Sequence, residues 1–90
     1  MILAPVLPLN EDLSVVDSPQ NAWVVDLSMH GLSFVMSADK IHTNYVIQLS
    51  SENLEAVQII GKVVRHREIY IDRQYFQVGF EFMIRLGTRL

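Results

Sequence analysis

A carboxylate and a hydroxyl two positions apart are the groups in this chain best suited to ligand chemistry. Asp26 and Ser28 are followed by Gly31, and apolar, strand-forming residues flank the motif on both sides. The pattern predicts a strand, a bend and a second strand, with the two polar groups aimed outward at the bend. A carboxylate there accepts two hydrogen bonds from a planar donor edge, such as the N1–H and exocyclic amine of guanine. Gly31 is able to take a positive φ, which other residues resist, and the next strand begins at Leu32.

The same residues also suit a purely structural role. Asp and Ser side chains hydrogen-bond the backbone two residues on and so stabilise tight turns. In this interpretation Asp26 and Ser28 form an Asx-type turn that shapes the hairpin and contacts no ligand. The sequence leaves both roles open.

A small basic cluster lies later in the chain. It consists of Arg65, His66 and Arg67, with Arg73 nearby. The structural interpretation is the exposed end of a hairpin, whose charges face water. The functional alternative is that Arg65 and Arg67 contact a phosphate or a partner protein, because guanidinium groups bind such anions in a fixed geometry.

Composition excludes several classes of function. The chain has 90 residues, predicting a single domain over residues 1–90, and it contains no cysteine. Its net charge of −3 argues against DNA or RNA as a partner, and no apolar run is long enough for membrane insertion. The three histidines lack the spacing of a metal site. No Ser–His–acid set or glycine-rich phosphate loop is recognisable, so we predict no catalytic residues and no enzymatic activity.

Apolar residues recur with a period of two along most of the chain, which is typical of β-strands. Short strands separated by turn residues favour an all-β antiparallel barrel with little or no helix, since closure removes the exposed sheet edges. The predicted inward-facing residues are Trp23, Val25 and Leu27; Leu32, Phe34 and Met36; Tyr45, Ile47 and Leu49; Val57 and Ile59; and Val78, Phe80 and Phe82. Trp23 is therefore expected in the core.

Three motifs follow one another over about two thirds of the chain, from Ala22 to Phe82. They consist of Asp26, Ser28 and Gly31; of Gly61, Val63, Val64 and Arg65; and of Tyr75 or Phe76 before Val78, Gly79, Phe80 and Phe82. In order and spacing they resemble the PilZ family, whose signature Asp/Asn-x-Ser/Ala-x-x-Gly is followed by a Gly-x-Val-Val-Arg-like strand and by a closing aromatic strand with Val-Gly-hydrophobic-x-Phe. The resemblance implies a small antiparallel six-stranded split barrel that binds cyclic di-GMP, with Asp26, Ser28 and Gly31 as ligand-binding residues.

One family motif is absent from this sequence. Family members that bind cyclic di-GMP carry Arg-x-x-x-Arg before the first strand, and here no arginine precedes Arg65. Pro5 corresponds to the proline that often follows the second family arginine. Either the arginines lie upstream in a longer protein, or the protein lacks them and binds the dinucleotide poorly or not at all. Losing two charge-assisted contacts of roughly 1.5–3 kcal/mol each weakens binding on the order of a hundredfold or more.

Two functional hypotheses follow from the sequence. In the first, the chain is a cytoplasmic cyclic di-GMP effector module with an incomplete ligand site and no cofactor. In the second, it is a ligand-blind PilZ-like adaptor in motility or surface attachment, which contacts a protein partner through outward-facing Val24, Val35 and Val46. The sequence leaves dimerisation open under either hypothesis.

Overall fold

Six antiparallel strands form a closed barrel in the computed structural model, which describes residues 2–51 and 54–86. Around the barrel the strands follow the order β1-β2-β3-β6-β5-β4, and β4 pairs with β1 to close it. The strands are β1 Ile2–Leu9, β2 Gln20–Leu27, β3 Gly31–Ser37, β4 Asn44–Ser51, β5 Leu54–Ile71 and β6 Arg73–Leu86. The predicted antiparallel six-stranded barrel is confirmed, and the described ranges contain no helix, hence none that would cross a membrane.

The barrel interior is filled by the apolar face of each strand. Phe34 lies at its centre, with ring centroids 5.9 Å from those of Tyr45 and Phe80 in edge-to-face arrangements. Such pairs stabilise a core beyond the effect of buried area alone. The inward faces predicted for β3, β4 and β6 are correct. The fully buried large side chains are Val6, Phe34, Met36, Tyr45, Ile47 and Val78.

The inward face predicted for β2 is wrong. Ala22 and Val24 are buried, whereas Trp23 and Val25 point outward and are about half-exposed. Both faces of this strand are apolar, so the period of two shows which residues share a face but not which of the two faces points to the core. Val24 consequently belongs to the core and is removed from the interface predicted for an adaptor, while Val35 and Val46 are half-buried.

The first strand was not predicted as a strand. Pro5 and Pro8 cannot donate to a sheet ladder, which weakens the strand pattern of this segment. In the structure Pro5 lies opposite Asn21 and Pro8 lies opposite Tyr45, and β1 still bridges β2 and β4. β1 is therefore the element that converts an open five-stranded sheet into a barrel.

Strands β5 and β6 form one long hairpin that extends past the rest of the barrel. Their pairing runs from Gln58↔Leu86 to Ile71↔Arg73, and Asp72 makes the turn with φ of 63°. β4 pairs with β5 only as far as Lys62, so the basic segment that follows has β6 as its neighbour on one side only. This places Arg65 and Arg67 on an exposed strand, where their side chains are free to lie over the adjacent sheet.

Candidate functional site

The β2–β3 hairpin is closed by Ser28 and not by Asp26. The Ser28 backbone N–H donates to the Gly31 carbonyl oxygen at 2.9 Å, and the Ser28 hydroxyl donates to the same oxygen at 3.1 Å. The structural role considered for this motif therefore applies to Ser28. The Ser28 hydroxyl oxygen keeps its lone pairs, so it remains able to accept a hydrogen bond.

The Asp26 carboxylate takes no part in that turn and is exposed on the outer face of β2. A β-bulge between Val24 and Asp26 shifts the register of β2 against β3. Without the bulge Asp26 would point to the opposite face from Trp23; with it, Asp26 pairs with outward-facing Ser33. The bulge thus aims the carboxylate away from the core and over the sheet.

Gly31 has a structural role that does not use the positive φ open to glycine. None of the glycines in the described ranges has a positive φ. Gly31 instead lies opposite Glu81 at the start of the β3–β6 pairing, and a Cβ atom there would overlap the Phe80 carbonyl oxygen. Phe82 also donates its N–H to the His30 carbonyl oxygen at 2.8 Å. Close approach of two strands, and not turn geometry, explains this glycine.

Arg65 comes to the same outer surface as Asp26. Asp26 pairs with Ser33, Ser33 with Gly79, and Gly79 with Arg65, so one row crosses β2, β3, β6 and β5. Three inter-strand steps separate the Cα atoms of Asp26 and Arg65 by about 14 Å. Because Gly79 has no side chain, the Arg65 side chain lies directly on it and extends over the row: a Cβ on Gly79 would be 2.8 Å from Arg65 Cγ.

A groove of about 240 Å³ runs along this row. It collects the three predicted ligand-binding residues, Asp26, Ser28 and Gly31, together with Arg65, although nearly 40 residues separate the motif from that arginine in the chain. Asp26 makes the β2 end of the groove acidic and Arg65 makes the β5 end cationic, while Glu81 on β6 adds a second carboxylate between them. Such a groove suits a ligand with a hydrogen-bond-donating edge at one end and a negative charge at the other.

A second groove of about 260 Å³ continues from the first along β5 and β6. Ser33, Arg65 and Gly79 line both grooves, and the second adds Arg67 and Gln77. Arg67 Nη2 donates to Gln77 Oε1 at 2.7 Å, which fixes the guanidinium above the sheet. The structure thus brings both predicted arginines to the surface that carries Asp26.

Sequence reasoning missed the role of Gly79. The signal was present, because Gly79 lies in the middle of an alternating strand where an outward-facing side chain is expected. A glycine at such a position commonly marks a close approach of another group. In the region that the structure describes, no cluster of three or more His, Asp or Glu side chains has the arrangement of a metal site.

Comparison with known proteins finds no matching family model, no matching curated protein and no matching solved structure. The resemblance to PilZ domains accordingly rests on the sequence motifs quoted above.

Proposed function

We propose that this chain is a PilZ-type regulatory module that binds cyclic di-GMP on the outer face of its barrel. The observation that carries the proposal is the groove in which the outward Asp26 carboxylate and the Arg65 guanidinium share one row of the sheet. Asp26 accepts hydrogen bonds from the donor edge of a guanine, and the Ser28 hydroxyl oxygen accepts a further one. Arg65 and Arg67 contact the phosphates.

The β5 arginines offer an alternative to the arginine motif that the sequence lacks. Each charge-assisted contact contributes roughly 1.5–3 kcal/mol, and two of them offset much of the missing pair. The protein carries a net charge of −3, and Glu81 lines the groove, so the general electrostatic field opposes an anion. We therefore expect an affinity in the micromolar range, weaker than a site with four arginines would give.

Isothermal titration calorimetry with cyclic di-GMP tests this proposal. Asp26→Asn keeps the shape of the side chain and removes its charge, and we expect it to weaken binding by about 10- to 150-fold. Asp39→Asn is the matched control, because Asp39 is exposed beyond the far end of β3 and makes the same change in net charge. Absence of heat with the wild-type protein at high micromolar ligand, or equal loss in both variants, contradicts the proposal.

The second candidate function is that of a ligand-blind adaptor, and the β2–β3 hairpin favours it. Leu27 is more than half-exposed and Met29 at the tip is 89% exposed, and such an apolar tip is unusual unless a partner covers it. Met29 is well suited to adaptable contacts because its side chain is flexible and polarisable. A folded protein that gives no heat with cyclic di-GMP, and whose Leu27→Ser/Met29→Ser variant loses its partner in cells, supports this candidate instead.

A further inference from the structure

Trp23 is the sole tryptophan of the chain, and its indole lies on the outside of the barrel with 47% of its surface exposed. It pairs with Leu3 on β1 and with Val35 on β3; Val35 pairs with Gln77, and Gln77 with Arg67. Trp23 therefore belongs to a second row across the sheet, which runs from half-exposed Leu3 on β1 to the Arg67 guanidinium that donates to Gln77. Along this row the aromatic face of Trp23 is followed, two strands further on, by polar Gln77 and then by the Arg67 cation.

The Trp23 row lies directly beside the row that contains Asp26. On β2 the two residues are three positions apart, a distance of about 10 Å or less along the strand. The β-bulge is what places both on the outer surface, since three positions of regular strand would put them on opposite faces. Arg65 and Arg67 are likewise two positions apart on β5, so the two rows are adjacent at both ends.

We infer that Trp23 is a stacking platform for an aromatic base of the nucleotide that this surface holds. The inference rests on the proposed function and adds a residue to its site. A base stacked on the indole lies next to the carboxylate that binds a donor edge and faces the two guanidinium groups that bind phosphate. Base–aromatic stacking tolerates any base, so Trp23 contributes affinity while Asp26 contributes selectivity.

Leu3 and Val25 beside Trp23 are exposed and apolar, and it is the β6 and β5 side of the row that favours a base over an apolar segment of a partner protein. Toward β6 and β5 the row becomes polar and cationic, with Gln77 and Arg67 beside half-buried Val35. A nucleotide can contact all of these groups, because its base stacks on the aromatic face of Trp23 and its phosphate binds the Arg67 guanidinium. An apolar helix laid across the same row would have to bury the Arg67 charge without compensation.

Trp23 also supplies the probe for the test, since all tryptophan emission comes from this one side chain. Titration with cyclic di-GMP is expected to change that emission saturably, with the same Kd as calorimetry. Trp23→Leu is expected to weaken binding by about 5- to 150-fold, whereas Trp23→Phe keeps a π face and retains most of the affinity. Tyr70→Leu is the control, because Tyr70 is an exposed aromatic residue near the tip of the β5–β6 hairpin, away from both rows.

The outcomes separate this inference from the function on which it rests. Suppose that the heat of cyclic di-GMP binding is lost in Asp26→Asn, but Trp23 emission does not change on titration and the Kd of Trp23→Leu equals that of the wild type. This result overturns the inference and leaves the proposed function standing. No Asp26-dependent heat overturns both. If Trp23→Leu leaves the Kd unchanged and instead abolishes self-association in analytical ultracentrifugation, Trp23 is a protein contact and the inference is wrong.

Discussion

Replacing Gly79 with alanine tests whether the position of Arg65 controls ligand binding. The new Cβ would lie 2.8 Å from Arg65 Cγ and 3.0 Å from Nε, whereas comfortable contacts are about 3.5–4.0 Å. The Arg65 side chain must therefore lift off the sheet by roughly 1 Å or rotate away. A charge-assisted contact contributes roughly 1.5–3 kcal/mol, so complete loss of the Arg65 contact weakens cyclic di-GMP binding by about 10- to 150-fold.

The fold should tolerate this change, because the group that must move is a flexible side chain on the protein surface. Alanine also restricts the unfolded chain relative to glycine, which stabilises by about 0.4–1 kcal/mol and offsets the displacement of Arg65. We expect the free energy of unfolding, measured by urea denaturation, to stay within about 1 kcal/mol of wild type. A loss of affinity is then a property of the site and not of folding.

A double-mutant cycle with Arg65→Gln provides the decisive comparison, with Kd measured by calorimetry. If Gly79 acts only by supporting Arg65, Gly79→Ala has little further effect once the guanidinium is absent. Arg73→Gln, at the hairpin tip, controls for the loss of one positive charge. Equal weakening by Gly79→Ala in the wild-type and Arg65→Gln backgrounds would refute the reasoning, as would wild-type affinity in Gly79→Ala itself.

Two further predictions concern stability. Gly31→Ala places a Cβ against backbone atoms of Phe80, which are less able to move aside than a flexible side chain. We expect the free energy of unfolding, measured by urea denaturation, to fall by about 1–3 kcal/mol. Unchanged stability would contradict the close approach of β3 and β6. Burial raises the pKa of the Tyr45 phenol above its ordinary value of 10.0, so the folded state holds this proton more tightly than the unfolded chain. Stability from this group is fully present below about pH 10 and is lost as the pH rises through the folded-state pKa, at up to about 1.4 kcal/mol per pH unit. Tyr45→Phe has no phenol to ionise, so its free energy of unfolding, measured by urea denaturation, should fall less steeply with pH above about pH 10 than that of the wild type. The variant also leaves the His42 N–H without its 3.0 Å acceptor, which lowers its stability at every pH without changing the slope. Equal slopes in the two proteins would contradict this assignment.

The barrel was predictable where only one face of a strand is apolar. On β3 the outward positions hold Ser33, Val35 and Ser37, of which only Val35 is apolar, so the period of two identifies both the strand and its inward face. On β2 the apolar residues are consecutive, and the structure buries the smaller Ala22 and Val24 and leaves the larger Trp23 outside. The sequence pattern shows which residues share a face of the strand. Which of two apolar faces is buried depends on the volume that the other strands leave in the core.

The candidate site was predictable only in part, because it joins residues from distant strands. The motif at Asp26 and Ser28 is local and was found from its spacing, although the roles of the two residues differ: Ser28 closes the turn and Asp26 faces the groove. The position of Arg65 opposite Gly79 depends on the register of β5 against β6, which includes a bulge that the sequence does not reveal. Bulges on two strands thus decide which polar side chains share the surface.

The central claim is that cyclic di-GMP binds the outer face of β2, β3, β6 and β5. Titration of the uniformly ¹⁵N-labelled protein with this ligand, followed by two-dimensional amide NMR, tests it most directly. We predict saturable shifts confined to residues 23–33, 65–67 and 77–81, with the Trp23 indole N–H among them. No shifts at high micromolar ligand, or shifts centred on Asp39 and Asp72 at the other end of the barrel, would contradict the account.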